Sequence, residues 1–135
     1  MSPKIIASSS ILLVKDVTAS AIWYRDKCGF TIEKFYGDPP AFGITGRDGF
    51  YLMFAKCPPE KIIPNWKNVQ ATSNVYFWVN DVESIYKEFV SNGATIDWDL
   101  CIQPYGVKEF GINDPDGYDV AFGEILKDPV LSKTY

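Results

Sequence analysis

Two carboxylates near the C-terminal end of the chain, Glu109 and Asp119, are the side chains best suited to acid–base chemistry or to binding a cation. Glu109 lies in an alternating run in which Phe110 and Ile112 occupy the opposite parity, so a strand would turn it away from the core. A carboxyl group inside an apolar cavity has a raised pKa and could act as a general base. A solvated carboxylate at the rim of a cavity is the alternative interpretation.

Aromatic residues make up 16% of the chain, which indicates that some rings line a cavity rather than fill a core. Tyr76, Trp78 and Tyr105, together with Trp66, could stack on a flat ligand. Tyr76 and Trp78 could instead pack the core shut or form a dimer interface. Both interpretations fit the spacing.

Histidine is absent from the sequence. Ser-His-Asp and Cys-His catalysis are therefore excluded, and a metal site would need carboxylates, amides or thiolates. Cys28, Cys57 and Cys101 lie far apart without a CxxC spacing, so we expect free thiols rather than disulfides or a zinc site.

The chain has 135 residues and a net charge of −4, with its lysines and arginines scattered. Nucleic acid is not an expected partner, because no basic patch is available for phosphates. The apolar runs are too short for a membrane helix, and the N-terminus lacks a signal-peptide core. These features predict a soluble, cytoplasmic protein.

The strongest turn signal is Asn113-Asp114-Pro115-Asp116-Gly117, which joins the apolar runs 107–112 and 118–122. It predicts a hairpin, because proline fixes one central φ and Gly117 accepts a positive φ. Asp116 is expected to support the corner by bonding to its own backbone.

Hydrophobic periodicity and turn residues divide the chain into two modules of the same order, βαβββ. The first module spans 5–56, a linker follows at 57–73, the second module spans 74–125, and a tail covers 126–135. The predicted elements are strands 5–14, 31–36, 41–45 and 50–55 with helix 16–27, then strands 74–79, 94–100, 107–112 and 118–122 with helix 82–92. Asp16 or Thr18 is expected to cap the first helix and Asp81 the second.

The modules also match residue against residue, which predicts an internal repeat. The motif VKDV beginning at Val14 recurs as VNDV beginning at Val79, an offset of 79 − 14 = 65. The motif GFYLMF beginning at Gly49 recurs as GYDVAF beginning at Gly117, an offset of 117 − 49 = 68.

A βαβββ unit covers only one face of its sheet with a helix, so the other face needs a second unit or a ligand. The predicted fold class is therefore α+β, with two tandem βαβββ modules forming a curled mixed sheet around a cavity and the helices outside. The predicted ligand-binding residues are Ser9, Ile11, Tyr51, Met53, Asn74, Tyr76, Trp78, Tyr105, Glu109, Asp119 and Ala121.

Several motifs together resemble the glyoxalase/bleomycin resistance/dioxygenase superfamily, also called vicinal oxygen chelate proteins. They are the paired βαβββ order, the VxDV junctions, Tyr24-Arg25-Asp26 followed by Cys28-Gly29-Phe30, and Tyr105-Gly106 with the DPDGY turn. The resemblance covers Ile5 to Glu124 and implies this fold. For the enzymes of the superfamily it also implies one divalent metal, bound by His, Gln or Glu from the first and last strands of each half.

Carried over to this chain, the implied metal positions are Ser9, Met53, Asn74 and Ala121, and none of them is a good ligand. We therefore expect neither a metal nor another cofactor. A hard-oxygen site for Mg or Mn built from Asp119 and Glu109 is an alternative.

In character the chain is similar to the metal-free bleomycin resistance branch, which implies a homodimeric binder of an aromatic or cationic compound. One alternative is a lyase, isomerase or dioxygenase-like enzyme that uses Glu109 and Asp119 as acid and base or through a non-standard metal site. Another is a regulatory module that holds a protein partner in its cavity.

Overall fold

The computed structural model describes residues 2–126, and the chain divides into two compact units between Ile63 and Pro64. This division falls inside the predicted linker 57–73, while the module boundaries themselves stay predictions. Apart from Leu126, the predicted tail 126–135 lies outside the described residues.

The first unit contains a four-stranded mixed sheet and one helix. Strand β1 pairs parallel to β4, and the other neighbours are antiparallel, in the order β1-β4-β3-β2. The elements are β1 (Ser9–Val14), α1 (Val17–Cys28), β2 (Thr31–Tyr36), β3 (Phe42–Arg47) and β4 (Phe50–Lys56), followed by a 3₁₀ turn at Pro59–Lys61.

Helix α1 lies within one residue of the predicted span 16–27 at each end. The Asp16 side chain accepts a hydrogen bond from the Ala19 backbone N–H at 3.0 Å, which satisfies one of the free donors of the first turn. Gly29 ends the helix with φ at +70°, a conformation that favours glycine. Tyr24 lies on the buried face of the helix and stacks on Phe54 of β4, with ring centroids 5.4 Å apart.

The second unit repeats this architecture with sheet order β5-β8-β7-β6, in which β5 and β8 are parallel. A 3₁₀ turn at Asn65–Lys67 precedes the sheet. The elements are β5 (Val75–Trp78), α2 (Val82–Ser91), β6 (Ile96–Ile102), β7 (Val107–Asn113) and β8 (Asp119–Ile125).

A cluster of phenylalanines forms the core between α2 and its sheet. Phe122 stacks on Phe77 and Phe110 with ring centroids 5.3 and 5.4 Å apart, and it meets Phe89 of α2 edge-to-face at 5.0 Å. Each such ring pair stabilises the fold by about 1 kcal/mol beyond the contribution of the apolar area that it buries. The helix therefore fixes one face of the sheet as core and leaves the other face open.

The N-terminus of α2 is capped twice. The Asp81 side chain accepts from the Ser84 backbone N–H at 3.2 Å, as predicted, and Glu124 at the end of β8 accepts from the Val82 backbone N–H at 2.9 Å. Both acceptors are acidic and lie at the positive end of the helix dipole. The second contact ties α2 directly to the last strand.

The hairpin between β7 and β8 forms as predicted, and Asp114 supports its turn. The Asp114 side chain accepts hydrogen bonds from the backbone N–H groups of Asp116 and Tyr118, each at 2.9 Å. The side chain that precedes the proline thus reaches both amides across the corner, and the bond expected from the Asp116 side chain to its own backbone stays a prediction. Gly117 has φ at +86°, as expected.

The predicted α+β class and the two βαβββ orders are confirmed. The first strand is shorter than predicted and begins at Ser9, because Ile5 and Ile6 are almost fully exposed and join no sheet. Within the described residues, no helix combines the length and the apolar character needed to cross a bilayer.

Candidate ligand-binding site

The open face of the second sheet is organised in two cross-strand rows. Tyr76, Ala121, Gly111 and Trp98 follow one another across β5, β8, β7 and β6. The next row runs through Trp78, Gly123, Glu109 and Cys101. A glycine thus stands beside a large ring or a carboxylate in each row.

The two glycines give the neighbouring rings room to lie against the sheet. A Cβ added at Gly111 would collide with the indole of Trp98 and lie 2.7 Å from its Cδ1. A Cβ at Gly123 would collide with the hydroxyl of Tyr76 and lie 2.8 Å from its Cζ. Glycine inside a strand often marks such a close approach. Here it sets the orientation of both rings.

Glu109 is buried, with 5% of its surface exposed, and three side chains donate to it. The hydroxyls of Tyr76 and Tyr105 each donate to Oε1 at 2.8 Å, and Gln103 Nε2 donates to Oε2 at 3.3 Å. Burial, followed by the hydrogen bond to Glu109, raises the pKa of Tyr76 well above its ordinary value. Tyr76 therefore stays a proton donor to this carboxylate throughout the physiological range.

Asp119 is equally buried and forms a second polar centre on the same face. Ser73 donates a short hydrogen bond to Oδ1, and Trp98 Nε1 donates to Oδ2 at 2.8 Å. Burial, and after it a hydrogen bond with Asp97 and the charge of that residue, raise the pKa of the Asp119 carboxyl to about 7, while the hydrogen bonds from Ser73 and Trp98 act in the opposite direction. The carboxyl can therefore take up or release a proton near neutral pH.

These groups line a cavity of about 660 Å³, within the range typical of small-molecule sites. All the lining residues belong to the second unit. They are Trp66, Ala71, Thr72, Ser73, Tyr76, Asp97, Trp98, Gln103, Tyr105, Glu109 and Asp119. Trp66 is held in place by a hydrogen bond from its Nε1 to the carbonyl of Gly117 at 2.6 Å.

The structure brings together four of the predicted site residues, Tyr76, Tyr105, Glu109 and Asp119, and also Trp66. Trp78, Asn74 and Ala121 are not among the residues that line this cavity. Trp78 is 57% exposed beside the Tyr76 ring, the Asn74 amide oxygen accepts from the Asn65 backbone, and Ala121 is fully buried.

The remaining predicted residues, Ser9, Ile11, Tyr51 and Met53, belong to the first unit. Each occupies the strand that the sequence predicts, with Ser9 directly opposite Tyr51 and Ile11 opposite Met53. The cavity of the second unit is lined without them.

Sequence reasoning missed Trp98, Asp97, Gln103 and Ser73. In the sequence Ile96, Trp98 and Leu100 are spaced two residues apart, and a regular strand would place all three on the core face. The register of β6 shifts between Ile96 and Trp98, so Trp98 pairs with Gly111 on the open face. Ser73 lies in an aperiodic loop that carries no pattern.

The superfamily resemblance implies a divalent metal, and the implied positions do not fit one. Ser9, Met53, Asn74 and Ala121 offer a hydroxyl, a thioether, an amide already engaged with Asn65, and a methyl group. Over residues 2–126, no group of three or more Cys, Asp or Glu side chains is arranged to hold a metal ion.

A sequence profile of the Glyoxalase/Bleomycin resistance protein/Dioxygenase superfamily matches residues 6–122. The chain belongs to this superfamily. The profile spans both βαβββ modules, including the hairpin that carries Glu109 and Asp119. A search of curated proteins finds no match to the chain.

Solved structures of the superfamily share the fold at low identity. The chain is similar to the bleomycin-binding protein from Streptomyces verticillus complexed with copper(II)-bleomycin, with 22% identity, a TM-score of 0.67, and coverage of 90% of this chain and 97% of the other. It is also similar to TnmS3, an antibiotic binding protein from Streptomyces sp. CB03234, with 14% identity, a TM-score of 0.71, and coverage of 93% and 99%. A glyoxalase-related enzyme from Clostridium phytofermentans has 16% identity, a TM-score of 0.73, and coverage of 91% and 97%. These likenesses establish the fold, which serves binders and enzymes alike.

Proposed function

We propose that this protein is a metal-free small-molecule binder that sequesters a flat aromatic or cationic compound in the cavity of its second unit. The observation that carries the proposal is one cavity lined by four aromatic rings and two buried carboxylates. Superfamily members of the same fold that bind bleomycin or another antibiotic support it by analogy.

The rings supply the affinity in this proposal. Trp98 is held by Asp119 and the contact with Gly111, Tyr76 by Glu109, and Trp66 by Gly117. Held rings lose little conformational freedom when a ligand stacks on them, so binding is less costly. Each well-placed ring contact contributes about 1 kcal/mol, or roughly fivefold in Kd.

A fluorescence titration with flat cationic compounds, including bleomycin, tests the proposal. We expect saturable quenching that persists in EDTA. Trp98→Phe should remove most of the quenching, whereas Trp78→Phe should leave it intact, because Trp78 does not line the cavity. Trp23→Phe, in helix α1 of the first module, is the matched control for losing an indole.

Quenching that is lost in Trp78→Phe and retained in Trp98→Phe would favour the site predicted from sequence parity over the cavity. An unchanged emission spectrum with every compound tested would refute the binder proposal. One equivalent of metal in the purified protein would refute its metal-free character.

The second candidate function is a lyase or isomerase that uses Asp119 as a general base, since a carboxyl with a pKa of about 7 suits proton transfer at neutral pH. Incubation of the protein with a ligand found by titration, followed by mass spectrometry, would detect such turnover. Turnover that Asp119→Asn abolishes while binding persists would establish the enzyme.

Three further features of the protein stay predictions. They are the homodimer, the cytoplasmic location and a cavity shared by the two modules. The binder proposal depends on none of them, because residues of the second unit line its cavity.

A further inference from the structure

We propose that the ligand of this cavity is an elongated, flat dication, with one positive group bound by Glu109 and the other by Asp119. This inference rests on the proposed binding function and narrows it to one class of ligand. Amidines, guanidines and amines on an aromatic framework have the required chemistry.

Glu109 and Asp119 are each 95% buried, and none of the described residues that line the cavity is a lysine or an arginine. Lys108, the neighbour of Glu109 in the sequence, pairs with Glu83 instead. A buried carboxylate without a countercharge is costly, even when neutral donors surround it. A ligand cation would remove this cost at each carboxylate.

The spacing of the two carboxylates gives the ligand its length. Asp119 and Gly123 face the same side of β8, four residues apart, and Glu109 is the direct partner of Gly123 on β7. At about 3.3 Å per residue, the two positions lie roughly 13 Å apart along the sheet. This backbone spacing suits a ligand with a positive group at each end rather than one small cation.

Each carboxylate still has acceptor capacity for the ligand. A carboxylate offers about four lone-pair positions. Glu109 Oε2 accepts one bond, from Gln103 at 3.3 Å, while both tyrosine hydroxyls donate to Oε1. Asp119 accepts from Ser73 on Oδ1 and from Trp98 on Oδ2, and it makes one further hydrogen bond with Asp97, so about one of its four lone-pair positions is left for a ligand. The indole of Trp98 and the ring of Tyr76 belong to one cross-strand row, which lies between the positions of Asp119 and Glu109.

Calorimetric titration of the full chain with three related probes tests the inference. The probes are the flat bis-amidine diamidino-phenylindole, its mono-amidine analogue, and uncharged phenylindole. We expect the dication to bind at least about tenfold more tightly than the monocation, since charge-assisted hydrogen bonds are the stronger class. Glu109→Gln and Asp119→Asn should each reduce that advantage to less than about threefold.

Glu33→Gln, on an exposed edge strand of the first module, is the control for the loss of one negative charge and should keep the full advantage. Equal affinity for all three probes would overturn the dication while leaving an aromatic binder. Failure of all three to bind would overturn both proposals.

Proton release on binding can be measured on the unaltered protein, so this test does not require any variant to fold. Three side chains face Asp119. Asp97 is titratable, while Ser73 and Trp98 do not ionise near neutral pH. Glu109 lies on the same face of the sheet, at the other end of the cavity. A cation at Asp119 favours its ionised form, so dication binding should release protons near pH 7 and strengthen from pH 6 to 8. Binding without proton release across that range would overturn the assignment of a cation to Asp119.

Discussion

The two modules share one strand order but differ on their open faces. By the 68-residue offset, Asp119 corresponds to Tyr51, since 51 + 68 = 119. Gly123 likewise corresponds to Ala55, whose partner on β3 is Phe42, so Phe42 is the counterpart of Glu109. The positions that carry carboxylates in the second module carry aromatic rings in the first.

The glycines differ in the same way. Gly111 pairs with Ala121, whose counterpart Met53 pairs with Ile44, so a branched side chain stands in the first module where the second has none. The helix-facing positions, in contrast, keep their character, with Phe54 and Phe122 both buried. The framework of a βαβββ unit is thus set by the helix side, while its chemistry is set by a few residues on the other face.

The largest expected effect in the second module concerns Gly111. Gly111→Ala should lower the free energy of unfolding by about 3 kcal/mol, because the added methyl group collides with three atoms of the Trp98 ring. Urea denaturation measures the change. In a double-mutant cycle, Gly111→Ala should lower the free energy of unfolding much less when Trp98 is also replaced by alanine. An equal cost in both backgrounds would contradict the role given to Trp98.

Asp119 should make stability depend on pH. Its pKa is about 7 in the folded protein, against about 3.9 in an unfolded chain, so the folded state binds more protons between these values. The free energy of unfolding should therefore fall as the pH rises from 5 to 8, by about 2 kcal/mol after solvent screening at the cavity mouth. Denaturation at several pH values should show a much flatter profile for Asp119→Asn, whereas Asp26→Asn at the surface should keep the slope of the unaltered protein.

Gly123→Ala should have a smaller effect, of about 1 kcal/mol, because the methyl group mainly meets the far end of the Tyr76 side chain. Tyr76→Phe removes the hydroxyl and should recover part of this cost in the double variant. Thermal denaturation of the four proteins measures the coupling. Strict additivity would show that the Tyr76 hydroxyl is not what Gly123 accommodates.

The smallest effect is expected on the open face of the first module. Ile11 and Tyr51 are 56% and 40% exposed, and the counterparts of Glu109 and Asp119 there, Phe42 and Tyr51, carry no carboxylate. Tyr51→Ala and Met53→Ala should therefore change the Kd for any ligand of the second-module cavity by less than about twofold. A tenfold loss would show that both modules contact the ligand, as the sequence predicts.

The sequence predicted the framework because local signals and packing agreed with it. Aspartates before both helices, glycine after α1 and the Pro-Asp-Gly turn fixed most element positions to within a few residues. Period-two alternation also placed Tyr76, Glu109 and Asp119 on the open face correctly. These strands are regular where the inference was made, so side-chain parity carried through to the structure.

The same reasoning failed where regularity ends. Because the register of β6 is irregular, Trp98 lies on the open face, although its two-residue spacing from Ile96 and Leu100 favours the core face. No pattern could place Ser73, since its contact with Asp119 joins residues 46 positions apart through an aperiodic loop. The exposure of Trp78 likewise depends on what covers the end of β5, which parity does not describe.

The sequence by itself determined the repeated α+β framework, the absence of histidine chemistry and the misfit of the implied metal positions. These follow from residue identities and local periodicity. The tertiary structure decided that Ser73 and Trp98 donate hydrogen bonds to Asp119, and that two tyrosines and a glutamine donate to Glu109. Such long-range contacts depend on strand register and on the space left by two glycines, which a linear pattern does not record.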